Sequence, residues 1–295
     1  MYCGEKMNLS KETISNIIDL ALTEDTAHGD VTSEALIPPE LRGKASILVK
    51  AEGVLAGGEV AREVFLKVDP SLKYDQLIKD GTKIESGNII GTITGSVISI
   101  LKAERVALNF LQRLSGIATE TAQYVAAAKG STAKIVDTRK TTPGLRALEK
   151  YAVKMGGGDN HRLHLGDAVL IKDNHLAALR SMEMNLADIV ARAKQNAPKG
   201  MVIEVEVTTK NEALQAAGAG ADKILLDNMS TEEMRSVVES LPEGVQTEAS
   251  GGITLENVRE VAMTGVDIIS VGALTHSPKA LDISIEIEPQ TLQLI

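Results

Sequence analysis

From about residue 130 onward, short apolar runs alternate with helix-like stretches in a regular strand and helix rhythm. Repeated strand–helix units joined by short links predict a parallel sheet that is closed, or nearly closed, as a barrel. Six or seven strands are expected, and a doubly wound open sheet is the structural alternative. The candidate strands span residues 133–136, 168–171, 202–207, 223–226, 247–249 and 267–271.

Start signals mark two of the helices between these strands. Thr209 with Glu212, and Ser230 with Glu233, have the S/T-x-x-E spacing of a capping box. In this motif the hydroxyl and the carboxylate satisfy backbone N–H groups that the first helical turn leaves without partners. We therefore expect helices to begin at Thr209 and at Ser230.

The first part of the chain has a different pattern. Residues 10–23 place apolar side chains at helical spacing after an N-cap at Ser10. Residues 24–39 predict a loop that contains His28 and Asp30, which we expect to cap turns, with a metal or substrate role as the alternative. Residues 44–99 contain short β-prone runs interrupted by glycine, with one helix between them, which predicts a small α+β domain with an antiparallel sheet.

A long helical segment follows at residues 103–129, and we expect it to break near Ser115 and Gly116, at a hinge between two domains. The expected division is an N-terminal sandwich domain, a barrel domain and a C-terminal segment that returns to the N-terminal domain. These parts are residues 1–116, 117–276 and 277–295.

The composition narrows the class of protein. Hydrophobic residues make up 43 % of the chain and aromatic residues 2 %, with no Trp, so the core must be aliphatic. A formal charge of -9 and few aromatic rings argue against a nucleic-acid binder. The single cysteine, Cys3, allows no disulfide framework and no cysteine-based zinc site. Since no apolar run approaches 18 residues and no signal segment is evident, a soluble cytoplasmic protein is expected.

One stretch reverses the acidic charge of the chain. Between Arg139 and Lys172 seven Lys and Arg residues face three acidic residues, and the stretch also contains a triple glycine. A local positive field in an acidic protein can concentrate a small anionic ligand. Arg139, Lys140, His161, Arg162 and Lys172 lie at expected strand ends or beside glycines, where loops usually carry function.

Polar or glycine residues follow nearly every candidate strand, at the edge where barrel enzymes gather their functional groups. The half of this edge that contains the five cationic candidates suits carboxylate ligands. The planar guanidinium group of Arg can donate two parallel hydrogen bonds to one carboxylate. The last two strands end near glycines, which let backbone N–H groups approach a phosphate. These phosphate candidates are Ser250, Gly251, Gly252 and Gly272.

Two carboxylates, Glu206 and Asp227, lie at the ends of neighbouring candidate strands. Along the edge they fall between the cationic half and the glycine-rich half. They suit Mg2+, the ribose hydroxyls of a sugar phosphate, or both. Structural alternatives are a pair between Glu206 and a nearby Lys, and a turn capped by Asp227. Glu204 shares a strand face with Glu206 but lies deeper, which favours Glu206.

The residues by themselves therefore predict a barrel enzyme that joins a phosphorylated sugar to a polyanionic carboxylate. One rival is a sugar-phosphate isomerase or aldolase, in which Lys172 would form a Schiff base. A second rival is a non-catalytic carrier or ligand-sensing module, because residues 80–95 share features with lipoyl and biotinyl carriers.

Several segments of the chain, in this order, resemble the quinolinate phosphoribosyltransferases. They are EDTAHGDVTS, AERVALNFLQRLSGIAT, DTRKTTPGLR, GGGDNHRLHL, LIKDNH, IEVEV, LLDN, SGGI and VGALTHS. The resemblance runs from about residue 20 to the C-terminus. A paralogue of the same fold that acts on another heterocycle remains the nearest alternative.

The resemblance implies an incomplete, seven-stranded α/β barrel with a smaller N-terminal sandwich domain. It also implies a homodimer in which the small domain of one subunit covers the barrel of the other, with larger oligomers possible. The reaction would convert quinolinate and phosphoribosyl pyrophosphate, with Mg2+, into nicotinate mononucleotide, pyrophosphate and carbon dioxide in NAD biosynthesis.

Roles for individual residues also follow from the resemblance. Quinolinate would be bound by Arg139, His161, Arg162 and Lys172, and by Arg105 of the partner subunit. Phosphoribosyl pyrophosphate and Mg2+ would be handled by Lys140, Glu206 and Asp227. The 5-phosphate would contact Ser250, Gly251, Gly252 and Gly272, with His276 nearby.

Overall fold

The structure is a computed structural model that describes residues 11–295. Cys3 and the expected N-cap at Ser10 lie outside these residues. The described chain forms two compact units. We call them the antiparallel unit, made of residues 11–122, Thr141–Gly157 and Leu274–Ile295, and the parallel unit, made of Gln123–Lys140 and Gly158–Ala273.

The antiparallel unit is built on a sheet of five strands in which the central strand β1 pairs on both sides. The sheet order is β12-β1-β5-β3, with β13 also paired to β1, and β2 and β4 form a separate ladder. The strands are β1 (Leu41–Val49), β2 (Gly53–Val54), β3 (Lys73–Gln76), β4 (Lys83–Ile84), β5 (Ile89–Ser96), β12 (Ile283–Ile287) and β13 (Gln293–Leu294). The helices are α1 (Lys11–Thr26), α2 (Val31–Leu36), α3 (Gly58–Val68), α4 (Val97–Ala127) and α5 (Arg146–Met155).

The region expected to be a loop, residues 24–39, is partly helical. Helix α1 continues to Thr26, and the short helix α2 follows after a turn. Asp30 is the N-cap of α2, because its carboxylate accepts the backbone N–H of Ser33 at 3.0 Å. The capping role of Asp30 is confirmed, whereas the assignment of the whole stretch to a loop was wrong.

The expected break at Ser115 and Gly116 is also wrong, because α4 continues through both residues. A Cβ atom at Gly116 would lie 1.9 Å from the carbonyl oxygen of Lys279. The buried Ser115 hydroxyl donates to the carbonyl of Ala56 at 3.1 Å. Small residues at this point let backbone segments pack closely against the helix, so the Ser-Gly pair serves packing.

The parallel unit contains six strands, and each of the six segments predicted from the sequence overlaps one of them. All neighbours are parallel, in the order β6-β11-β10-β9-β8-β7. The strands are β6 (Lys134–Val136), β7 (Val169–Ile171), β8 (Ile203–Val207), β9 (Lys223–Asp227), β10 (Gln246–Ser250) and β11 (Ile268–Ser270). A single bridge between Val136 and Asp159 extends this sheet beyond β6, where the resemblance implies a seventh strand.

Helices α6 to α11 follow the strands of the parallel unit. They are α6 (Asp173–Arg180), α7 (Leu186–Asn196), α8 (Lys210–Gly218), α9 (Thr231–Val238), α10 (Val258–Ala262) and α11 (Ala273–His276). The two predicted helix starts are confirmed. Thr209 accepts the N–H of Glu212 at 3.2 Å, and Ser230 and Glu233 form a reciprocal capping box.

Within residues 11–295, no helix combines the length and the apolar character that crossing a lipid bilayer requires.

Candidate active site

The carboxyl ends of the six strands of the parallel unit lie at one edge of the sheet. The register pairs Ser250 with Asp227, and Ser270 with Val136. Since neighbouring strands run in the same direction, the last residues of the strands and those that follow them share this edge. They are Arg139 and Lys140 after β6, Lys172 after β7, Glu206 in β8, Asp227 in β9, Ser250 in β10 and Gly272 after β11.

Asp137 fixes the segment that follows the triple glycine. Its side chain is fully buried at the end of β6, and its carboxylate accepts the Nδ2 group of Asn160 at 2.6 Å. The other carboxylate oxygen accepts the backbone N–H of His161 at 2.9 Å. The buried Arg162 donates from Nη1 to the carbonyl of Ala168 at 3.3 Å. His161 and Arg162 are therefore placed by hydrogen bonds at the sheet edge.

Lys172 links the cationic and acidic halves of this edge. It is the N-cap of α6, and its Nζ lies 3.3 Å from a carboxylate oxygen of Glu206. This contact matches the structural alternative of a pair between Glu206 and a nearby Lys. His175 uses its Nδ1 to accept the backbone N–H of Lys172 at 3.0 Å, so this ring supports the start of the helix.

The ends of β9 and β10 form an open turn. Asn228 has φ 53, donates its backbone N–H to the carbonyl of Ser250 at 2.9 Å, and donates from Nδ2 to Asp227 at 2.9 Å. Gly251 has φ 88, and a Cβ there would lie 2.3 Å from the Asn228 side-chain oxygen. Gly252 has φ 61 with open space where a Cβ would point. A ligand can therefore approach the backbone closely at Gly252.

The side chain of His161 meets three charged side chains of the strands in a buried cluster. Glu204, Lys223 and Glu248 come from β8, β9 and β10, and their side chains are 1 %, 7 % and 1 % exposed. The Nζ of Lys223 lies 2.9 Å from Glu248 and 3.7 Å from Glu204. The Nε2 of His161 lies 3.2 Å from Glu248 and 3.4 Å from Glu204. We call these four residues the buried cluster.

The ligand atoms of His161, Glu204 and Glu248 lie within 4.8 Å of one another, a spacing that suits a metal ion. The ammonium group of Lys223, however, already supplies a positive charge between the two carboxylates. Glu206 and Asp227 at the edge are more accessible than the carboxylates of this cluster, and their role in holding Mg2+ stays a prediction.

Comparison with known proteins identifies the family. The family models for the N-terminal and C-terminal domains of quinolinate phosphoribosyl transferase match residues 30–115 and 117–286. The chain belongs to this family. It is 42 % identical to a probable nicotinate-nucleotide pyrophosphorylase [carboxylating] of Bacillus subtilis, with 93 % of each chain covered. It is 43 % identical to quinolinate phosphoribosyltransferase [decarboxylating] 1b of Nicotiana tabacum, covering 94 % of this chain and 83 % of the tobacco protein.

The fold of this family is also known from solved structures. The crystal structure of NadC from Streptococcus pyogenes has a TM-score of 0.91 and 40 % sequence identity, with 98 % of this chain and 99 % of that chain covered. The predicted fold class, a partial α/β barrel with a smaller N-terminal sheet domain, is confirmed.

Two residues that the family resemblance singled out, Arg105 and His276, belong to the antiparallel unit. Arg105 is exposed on α4. His276 is exposed at the end of α11, and its Nδ1 lies 2.6 Å from the hydroxyl of Ser277. In the parallel unit, Arg139 is half-buried and Lys140 is exposed. The ligand-binding roles of these residues stay predictions.

The sequence reasoning missed Lys223 and Glu248 and placed Glu204 second to Glu206. The deeper position of Glu204 is confirmed, because its side chain is 1 % exposed and that of Glu206 is 13 % exposed. The sequence does contain a signal for these residues, because they are charged and lie within apolar strands of a parallel sheet. Both faces of such a sheet are covered, so a charged side chain inside it needs a partner of opposite charge.

Proposed function

We propose that this chain transfers the phosphoribosyl group of phosphoribosyl pyrophosphate to the ring nitrogen of quinolinate, with loss of carbon dioxide. The products are nicotinate mononucleotide, pyrophosphate and carbon dioxide. The observation that carries the proposal is the family match over both domains. The cationic edge supports it, because a pyridine dicarboxylate brings two negative charges to an otherwise acidic protein.

Quinolinate is proposed to bind at Arg139, His161, Arg162 and Lys172. Guanidinium groups bind carboxylates through two parallel hydrogen bonds and fix the plane of the ligand. The contact between Lys172 and Glu206 supports neighbouring subsites for the two substrates. Such proximity is what transfer from ribose to a ring nitrogen requires.

Phosphoribosyl pyrophosphate is proposed to bind at Lys140, Glu206 and Asp227, with its 5-phosphate near Ser250, Gly251, Gly252 and Gly272. His276 is a further candidate for this phosphate. Glu206 and Asp227 also fit Mg2+, which when bound neutralises the charge that builds on the departing pyrophosphate. The open backbone at Gly252 supports the phosphate assignment.

The proposed chemistry needs no covalent nucleophile. As the bond between ribose and pyrophosphate breaks, positive charge develops on the ribose ring, where nearby carboxylates stabilise it. The pyridine nitrogen then forms the new bond and becomes positively charged. When the adjacent carboxylate leaves as carbon dioxide, the ring carbon keeps the electron pair and takes a proton. The main task of the protein is to hold both anions in position and to exclude water.

A homodimer with shared sites is also proposed, in which Arg105 of one subunit completes the quinolinate site of the other. Mixed dimers of Arg105→Ala and Lys140→Ala subunits should recover part of the activity that each variant lacks alone. If a verified mixed dimer recovered no activity, the proposal of a shared site would be contradicted. A cytoplasmic location stays a prediction.

The direct test is an ultraviolet assay with quinolinate, phosphoribosyl pyrophosphate and Mg2+, run in parallel with nicotinate in place of quinolinate. Nicotinate mononucleotide formed from quinolinate, with equimolar carbon dioxide, is the expected result. Product from nicotinate alone, or from neither acid, would contradict the proposal and favour a paralogue that uses another heterocycle.

A further inference from the structure

The tautomer of His161 follows from the geometry of the buried cluster. Its Nε2 lies within 3.4 Å of carboxylate oxygens from both Glu204 and Glu248. Ionised carboxylates only accept hydrogen bonds, so the protonated form of this nitrogen is the one that suits them. Nδ1 is therefore the atom at which the ring gains or loses its second proton.

The charge balance of the cluster determines whether Nδ1 of His161 is protonated. Two glutamates and one lysine leave an excess of one negative charge in a region where the glutamates are 1 % exposed. One further proton removes this excess, either on His161 or on Glu204. An imidazole holds a proton more strongly than a carboxyl group by about two pKa units. The ammonium of Lys223 at 3.7 Å also favours the ionised form of Glu204.

We propose that Glu204, Lys223 and Glu248 are positioning residues that hold His161 as an imidazolium. The two carboxylates act through their charge, since they lie within 3.4 Å of Nε2 but make no well-aligned hydrogen bond to it. This inference rests on the proposed function, because the cationic ring would then face a carboxylate of quinolinate. A charged donor makes a hydrogen bond to a carboxylate that is roughly twice as strong as a neutral one. The proton on His161 therefore makes the cluster neutral, whereas an unprotonated ring would leave one uncompensated negative charge beside the dicarboxylate site.

The pKa directions agree with this assignment. Burial alone would lower the pKa of His161, but the adjacent carboxylates of Glu204 and Glu248 outweigh burial and raise the pKa to about 9. Burial acts against the charge of Glu248 as well, yet its bonds to His161 and Lys223 keep its pKa below the usual range. Burial and the charge of Glu248 raise the pKa of Glu204, which makes it the competing site for the proton. We assign the proton to His161 because Lys223 stabilises both carboxylates.

Other charged groups near the ring do not reverse this assignment. Asp137 accepts the backbone N–H of His161 and adds a negative charge on the β6 side, which also favours the imidazolium. Arg162 is the next residue and opposes it, but its guanidinium is directed to the carbonyl of Ala168.

The first test measures the ring directly in the full-length protein labelled with 15N histidine, with His161→Gln used to assign the signal. At pH 7.5 both ring nitrogens should be protonated, with a titration midpoint near pH 9. A ring with one unprotonated nitrogen at pH 7.5 would overturn the proposal. This measurement does not depend on activity, so failure of the proposed function would leave it decisive.

The second test uses Glu248→Gln and Glu204→Gln, with Glu243→Gln as the control at an exposed position just before β10. Each cluster variant should lower the midpoint of His161 by about 1–3 pH units, and Glu243→Gln should not change it. KM for quinolinate should then rise at a lower pH than in the parent protein and return toward the parent value near pH 6. KM for phosphoribosyl pyrophosphate should not follow this profile. An unchanged midpoint, or a loss of quinolinate affinity that is independent of pH, would contradict the proposal.

Discussion

Replacing Lys223 with methionine tests the energetic balance of the buried cluster. The side chain is 7 % exposed, and its ammonium lies 2.9 Å from Glu248 and 3.7 Å from Glu204. Methionine fills a similar volume without charge, so the substitution leaves the two carboxylates with His161 as their remaining cation in the cluster. Removing one partner of a buried ion pair typically lowers the free energy of unfolding by about 3–5 kcal/mol.

This loss is large enough to measure by calorimetry. For a protein of this size class, about 3–5 kcal/mol corresponds to a fall in Tm of roughly 6–20 °C. Since the uncompensated carboxylates can take up protons, the destabilisation should be smaller at pH 5 than at pH 8. The exposed Lys199 provides the matched control, and Lys199→Met should leave Tm within about 1–2 °C of the parent protein.

A double variant separates charge imbalance from loss of packing. Glu248→Gln in the Lys223→Met background removes the one negative charge that His161 leaves uncompensated, so part of the lost stability should return. The cycle of single and double variants then gives the coupling between the two side chains. The reasoning would be refuted if Lys223→Met lowered Tm no more than Lys199→Met, or if the two losses simply added.

Four further predictions address the site and the fold. Arg139→Ala should weaken quinolinate binding by about 2–5 kcal/mol and phosphoribosyl pyrophosphate binding far less, and calorimetric titrations showing equal losses would contradict the division of the site. Gly116→Ala should lower stability by at least about 1–3 kcal/mol because its Cβ meets the Lys279 carbonyl, and denaturation of Gly218→Ala, a helical position where the space is open, controls for the added methyl group. Removing Mg2+ with EDTA should abolish turnover, and added Mg2+ should restore it. Because the folded pKa of His161, about 9, lies above its ordinary value, its contribution to stability is complete below about pH 6.5 and declines through pH 9. Melting curves should therefore show the stability difference between the parent protein and His161→Gln shrinking over this window, and a constant difference would contradict the assignment.

The architecture of the parallel unit is predictable because its signals are local. Each strand is a short apolar run, and capping boxes such as that at Ser230 and Glu233 mark where helices begin. The direction of the strands then determines which ends meet. The sequence alone therefore assigns the residues after the strands to one edge of the sheet.

The features that the sequence does not predict depend on contacts between residues that are far apart in the chain. Nothing near Gly116 indicates that the carbonyl of Lys279 approaches it, so a small-residue pair appeared to be a helix break. The buried cluster is similar, since Glu204, Lys223 and Glu248 come from three strands and meet through the register of the sheet. Single-strand periodicity shows which face a residue occupies, but the charge it meets there depends on its neighbours.

Strand β1 can complete its hydrogen bonds only late in protein synthesis. On one side it pairs with β5, which follows it closely in the chain, but on the other side it pairs with β12 and β13. The hydrogen bond between Ser46 and Glu288, for example, spans 242 residues. At ribosomal elongation rates, one edge of β1 stays open on the nascent chain for roughly 10–50 s. Open strand edges promote aggregation, so chaperone capture during translation should have a direct influence on the yield of this enzyme.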